Sequence, residues 1–144
     1  MLMALRRLAA FCLCITLSLG LITPAAAKAD DAAVIERQAA AFEETKSRLP
    51  ELARLVSNED WTFTRNLIHG PMQEVGREML YINQRLDKSQ RKEAEAIARD
   101  LKAALANLDE AARLQDSSRL QRSYSAVAAG FEAYSEVIPE EALS

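Results

Sequence analysis

The chain has 144 residues, with 18 Lys or Arg against 21 Asp or Glu, a formal net charge of −3, one His and two Cys. That length suits a single domain, and a net negative chain lacks the basic surface that nucleic-acid phosphates require. No sustained period-2 alternation of apolar and polar residues runs through it, so nothing argues for a sheet.

The first segment reads as an export signal. Arg6 and Arg7 precede a run from Leu8 to Ile22 with almost no polarity, and Thr23-Pro24-Ala25-Ala26-Ala27 then supplies a breaker and an Ala-x-Ala pattern. This is the order of a secretory signal peptide. Its apolar core of about 15 residues is short of the ~20 that a membrane-spanning helix needs. Removal of residues 1–27 is expected, leaving 28–144 as one domain of 117 residues. Without Arg6 and Arg7, 16 basic residues face 21 acidic ones, a net charge of −5. Cys12 and Cys14 leave with the signal, so the mature domain has no thiol for a disulfide or a metal. A lipoprotein cleavage site wants small residues before its Cys, and Phe11 and Leu13 are bulky. After Ile22 no apolar run is long enough to span a membrane, and the expected protein is soluble or peripheral.

The first helical region covers 31–57, with Ile35, Phe42, Leu49 and Val56 recurring every seven and Leu52 between the last two. Gln38 and Thr45 blur its stripe, and Pro50 is expected to kink or divide it. Asn58-Glu59-Asp60 forms the first turn, with Asp60 as N-cap of a short helix at 61–68. After a bend at His69-Gly70-Pro71, a longer helix is expected over 71–86. Its Met72, Val75, Met79, Ile82 and Leu86 step +3, +4, +3, +4 along one face. Asp87 and Gln90 resemble a capping box for a third helix reaching about Leu114. Its stripe is Ala94, Ile97, Ala98, Leu101, Leu105, Leu108 and Ala112. A second capping box, Ser118 to Gln121, opens the fourth helix, with Leu120, Tyr124, Val127, Phe131, Tyr134 and Ile138 on one face. Pro139 stops it, and the tail from Glu140 to Ser144 is expected to fray. Four such stripes joined by short turns predict an all-α, up-down-up-down four-helix bundle.

Catalytic chemistry has little to work with. There is no Gly-rich phosphate loop, no His-x-x-x-His pair, and no Glu-x-x-His of the kind di-metal bundles use. Without Cys-x-x-Cys-His there is no covalent haem site. A haem held by His69 with Met72 or Met79 conflicts with the place of those methionines in the core stripe. Glu43-Glu44, Asp109-Glu110 and Glu140-Glu141 read as solvated faces, leaving open only a weak divalent-ion site between exposed carboxylates. The expectation is a non-enzyme with no tightly bound cofactor and no metal ligands. What remains is surface. Arg77, Tyr81 and Arg85 fall at i, i+4 and i+8 on the outward side of the 71–86 helix, a docking pattern. Arg65 and His69 near the bend join them as candidate partner-binding residues. Between Arg65 and Lys92 the basic excess is +3 within a protein that is negative as a whole. Trp61 is either a corner plug or a partner anchor.

Several of these residues together carry a resemblance. Asp60-Trp61, Ile68-His69-Gly70-Pro71 ahead of an amphipathic helix, and Leu108-Asp109 with Ala111-Ala112 resemble the cyanobacterial PsbQ-like (CyanoQ) family of photosystem II extrinsic proteins. The resemblance covers about residues 31–138. It implies a four-helix bundle in the thylakoid lumen, peripheral to the membrane, that is not an enzyme. It further implies partners among the lumenal loops of the core antenna and the other extrinsic subunits. The implied role is to stabilise the oxygen-evolving complex and the retention of its calcium and chloride. A competing reading is a periplasmic helical chaperone or adaptor of the Spy type, from the Leu-x-x-x-Gln form of Leu86 to Gln90. Neither reading fixes the docking face, the stoichiometry or the affinity.

The export reading makes a direct prediction. Mass spectrometry of the native protein shows an N-terminus near Lys28, whereas a diacylglyceryl group on Cys12 or Cys14 contradicts it.

Overall fold

The computed structural model describes residues 24–143. By compactness the chain divides into Met1–Asp30 and Asp31–Ser144. Of the first unit, the described residues 24–30 are helical; the signal-peptide reading lies, through residue 23, outside the described residues. The described residues form six α-helices and a closing 3-10 turn, α1 (Pro24–Lys46), α2 (Leu49–Ser57), α3 (Trp61–His69), α4 (Val75–Asn83), α5 (Lys88–Leu114), α6 (Ser117–Val137) and Glu140–Ala142, and from Asp31 onward they build the bundle that is the second unit.

The six helices make four arms, because prolines divide the first two. In a continuous helix residue 50 would donate to the carbonyl of Lys46, which Pro50 cannot do for want of an N–H, and α1 ends at Lys46. Pro50 then lies in the first turn of α2, where a missing donor costs nothing. In the second arm Pro71 cannot donate to Leu67, and the N–H of Met72 takes that carbonyl instead at 3.1 Å. The bend also requires Gly70, since a Cβ there would lie 2.8 Å from the carbonyl oxygen of Asn66.

Contacts around the bundle establish up-down-up-down order. In the first and fourth arms Phe42 meets Tyr134 and the Val56 carbonyl meets Gln121, so those arms are antiparallel. Arg65 reaches Asp109 while Arg91 reaches the carbonyls of Gln84 and Leu86, so arms two and three are antiparallel too. Arms three and four pair Leu101 with Gly130 and Asn107 with Arg119. There Gly130 permits the close approach: a Cβ would meet the Leu101 side chain at 3.0 Å.

The stripes point inward as their spacing requires. Ile35, Phe42, Leu52 and Val56, then Met72, Val75, Met79, Ile82 and Leu86, and Leu101, Leu105, Leu108, Leu120, Val127, Phe131, Tyr134 and Ile138 are all buried. Leu49, Ile97 and Tyr124 sit only partly under cover. Buried Ala39, Leu55, Leu67, Ala104 and Ala111 complete the core from positions outside the expected stripes.

Four local expectations are corrected. The helix expected over 71–86 is α4 alone, because residues 70–74 form successive i→i+3 turns around Pro71. Asp87 flanks α5 as expected, but its carboxylate accepts no capping bond. The fourth helix is capped two residues earlier than Ser118: Asp116 accepts from the N–H of Arg119 at 2.9 Å. Ser118 instead takes a hydrogen bond from Arg122 at 2.5 Å. The tail does not fray through Leu143; it makes a 3-10 turn, and Ala142 packs on the core.

Phe131 is fully buried, and its ring centroid lies 5.4 Å from that of Phe42. Phe131→Ala should therefore destabilise by about 3–5 kcal/mol, read as a lowered urea midpoint. An unchanged midpoint would place the ring outside the core.

Candidate functional site

Polar and aromatic side chains gather at two places on the surface. The first is built on α3. Asp60 caps it, its Oδ1 accepting from the N–H of Phe63 at 3.2 Å, which sets the register of everything that follows. From that start Trp61, Arg65 and His69 recur every four residues on one side. Asp109 of α5 stands between the last two. Its Oδ1 accepts from Arg65 Nε at 3.0 Å and lies 2.8 Å from His69 Nε2. Leu108, Ala111 and Ala112, buried beside it, fix the rotation of α5 that turns Asp109 outward.

Alongside runs a cleft of about 290 Å³ between α3 and the last turn of α5, walled by Trp61, Arg65, His69 and Arg113. Trp61 is partly buried against the core and also lines the cleft. Arg113 is held by both carboxylate oxygens of Glu110, each at 2.7 Å. That hydrogen bonding lowers the Glu110 carboxyl below its usual range. Every guanidinium here has a carboxylate partner, and the donor set is polar without being reactive. Among the described residues no group of three or more His, Cys, Asp and Glu is placed to hold a metal ion.

The second place is the outward side of α4. Arg77 is exposed and paired with Glu74 on its own arm. Tyr81 and its neighbour Leu80 are exposed at 39% and 51%. Arg85 departs from the outward position expected of it. Its guanidinium lies 6.0 Å from the centroid of the Tyr81 ring, donates to the Tyr81 carbonyl at 3.1 Å, and approaches Asp31 of α1 at 3.6 Å. The two contacts to Tyr81 hold it along its own arm, and Asp31 draws it toward α1.

The five candidate binding residues accordingly fall into two groups. Arg65 and His69 meet on Asp109, while Arg77, Tyr81 and Arg85 form a separate ridge with no contact to that cluster. Of the motif residues, Ile68, Leu108, Ala111 and Ala112 are core, and Gly70 and Pro71 shape the bend. Asp60 is a cap. Trp61 and His69 line the cleft, and Asp109 stands behind them, holding His69 and Arg65. Leu80 and Asp31 were missed, though Leu80 is an apolar residue off the stripe and carried its own signal.

The chain is thus a small, proline-broken helical bundle whose motif blocks are joined by Asp109 and His69 across 40 residues of sequence. The family model for PsbQ, described as oxygen evolving enhancer protein 3, matches residues 6–139, and the chain belongs to that family. It is also similar to CyanoQ of Synechocystis sp., with 27% identity over 89 residues. That alignment covers 62% of this chain and spans about 60% of the length of that relative.

Proposed function

We propose that this protein is a non-catalytic extrinsic subunit of photosystem II, bound on the lumenal side. There it stabilises the oxygen-evolving complex and slows the loss of its calcium and chloride. Membership of the oxygen evolving enhancer family is the observation that carries the reading. No helix of the described residues is long and apolar enough to cross a membrane, which is compatible with a peripheral association. Such a subunit acts by covering and bracing a surface, and that requires a docking face rather than a reactive centre.

The α4 ridge is the best candidate for that face. It puts two large exposed apolar side chains, Leu80 and Tyr81, next to a cation. The contact between Arg77 and Glu74 is an exposed pair on one arm. Exposed pairs contribute only about 0.2–1 kcal/mol, so a partner carboxylate can replace Glu74 at little cost. The partner face this fits is acidic with an apolar centre: lumenal loops of the core antenna or a neighbouring extrinsic subunit. Electrostatic complementarity would then speed and orient association more than it would tighten it. The Arg65–His69–Asp109 cluster contributes as a second, smaller contact beside the cleft.

Arg77→Glu combined with Leu80→Ser tests the face without touching the half-buried Arg85. Leu80 is exposed, so its substitution should change stability by less than about 0.5 kcal/mol; because Arg77 pairs with Glu74 and lies beside Glu78, the double variant is first matched to the parent in melting temperature. Rebinding to photosystem II stripped of this subunit should weaken about tenfold or more, equivalent to ~1.4 kcal/mol. Its salt dependence should fall as well. A folded double variant that rebinds like the parent at low and moderate salt shows that α4 is not the interface.

A further inference from the structure

The contact between α1 and α4 contains a carboxylate with almost nothing to hold its charge. Glu78 projects from α4 toward α1 and is only 8% exposed. The Thr45 hydroxyl is its hydrogen-bond donor, and both distances are long, 3.5 and 3.4 Å to the two carboxylate oxygens. Glu74 at the start of α4 and Glu44 on α1 add repulsion, which Arg77 opposes. Arg77 is itself committed to Glu74. The charges where α1 meets α6 are occupied elsewhere. Lys46 donates to Glu132 at 2.8 Å and to Ser135 at 3.0 Å, and Ser135 donates to Glu43 at 2.6 Å. Nothing on that side is free to neutralise Glu78.

A hinge lies just beyond this contact. Thr45 is one residue from the end of α1, Ser47 and Arg48 form the turn, and α2 restarts at Leu49 under Pro50. A segment joined through a proline-broken turn can open as a unit while the rest of the fold persists. We infer that α1, from Asp31 to Lys46, is a proton-controlled latch that opens about Ser47–Arg48, with the charge on Glu78 setting how firmly it seats. The neutral acid fits the apolar contact and can donate to Thr45; the carboxylate must either remain desolvated or drive α1 away to reach water.

The sign follows from burial, which raises the Glu78 carboxyl above its ordinary 4.5, with the Thr45 hydrogen bond offsetting part of the rise. The seated form then binds more protons than the open form. Seating is firmest below the ordinary carboxylate range and weakens as pH rises through the elevated value. Each unit of elevation corresponds to a tenfold change in the opening constant.

Hydrogen exchange of the folded protein, corrected for intrinsic rates and read amide by amide, tests this. Between about pH 5 and pH 8, protection of the amides at residues 35–46 should fall by about tenfold or more relative to those at 98–108 of α5. Glu78→Gln keeps the hydrogen-bonding shape without the charge, and its α1 protection should stay high and flat. Thr45→Val removes the group that offsets the elevation, so its protection should go on falling to higher pH than in the parent. Equal pH slopes in α1 and α5 of the parent overturn the proposal. So does a Glu78→Gln protein that keeps the parent's slope, or a Thr45→Val protein with an unchanged range.

Discussion

One hydroxyl ties the bundle together. Tyr134 is fully buried, and its Oη donates toward Asn83 Oδ1 at 2.7 Å, with the Met79 carbonyl at 3.0 Å. The same ring lies 4.9 Å from Phe42 of α1. A single side chain of α6 thus joins the fourth arm to the second by hydrogen bonding and to the first by aromatic packing. Buried polar groups are costly unless they are satisfied, and a satisfied one specifies a unique arrangement. Burial also pushes the phenol's ionisation far up, so it remains a donor throughout the ordinary pH range. The tie fixes how α4 is rotated, which in turn decides that Leu80 and Tyr81 face outward and Glu78 faces α1.

The parts of the fold that were legible are those governed by a repeated spacing. Met72, Val75, Met79, Ile82 and Leu86 could face one way only as a helix, and the structure buries all five. Pro50 and Pro71 act locally by lacking a donor, so the helix breaks they cause could be located in advance. Capping was harder to read because more than one residue near a helix start has a side chain able to cap. Asp116 accepts from the amide of Arg119, so α6 begins before Ser118, and Asp87 leaves its amides without a side-chain cap while Arg91 ties off the carbonyls of the preceding arm. The alanines at 39, 104 and 111 fill the core where arms lie close, but alanine gives almost no periodic signal on either face.

Of the candidate site, single residues were legible and their grouping was not. Arg65, His69 and Asp109 each stood out in the sequence, yet their meeting depends on the crossing of α3 and α5. Arg77, Tyr81 and Arg85 were read as one outward stripe from helical spacing. Spacing says nothing of Asp31, which lies far upstream in sequence and draws Arg85 toward α1. The Thr45–Glu78 pair was half visible: Thr45 stood on the stripe of the first helix and blurred it, but no spacing over 71–86 marked Glu78 as the buried group that faces it. The same cause links the ridge to the latch. Arg77 and Glu78 are consecutive, so the face offered to a partner and the charge beneath α1 share one turn of helix.

Placing the docking face on α4 is the central functional claim, and site-specific photo-crosslinking addresses it most directly. A photoreactive residue at Tyr81 should crosslink to lumenal subunits of photosystem II when the protein is bound to isolated complexes. The same residue at Ala129, exposed on α6, should not. Crosslinks from position 129 with equal yield, or none from position 81 in protein that is demonstrably bound, would contradict the account.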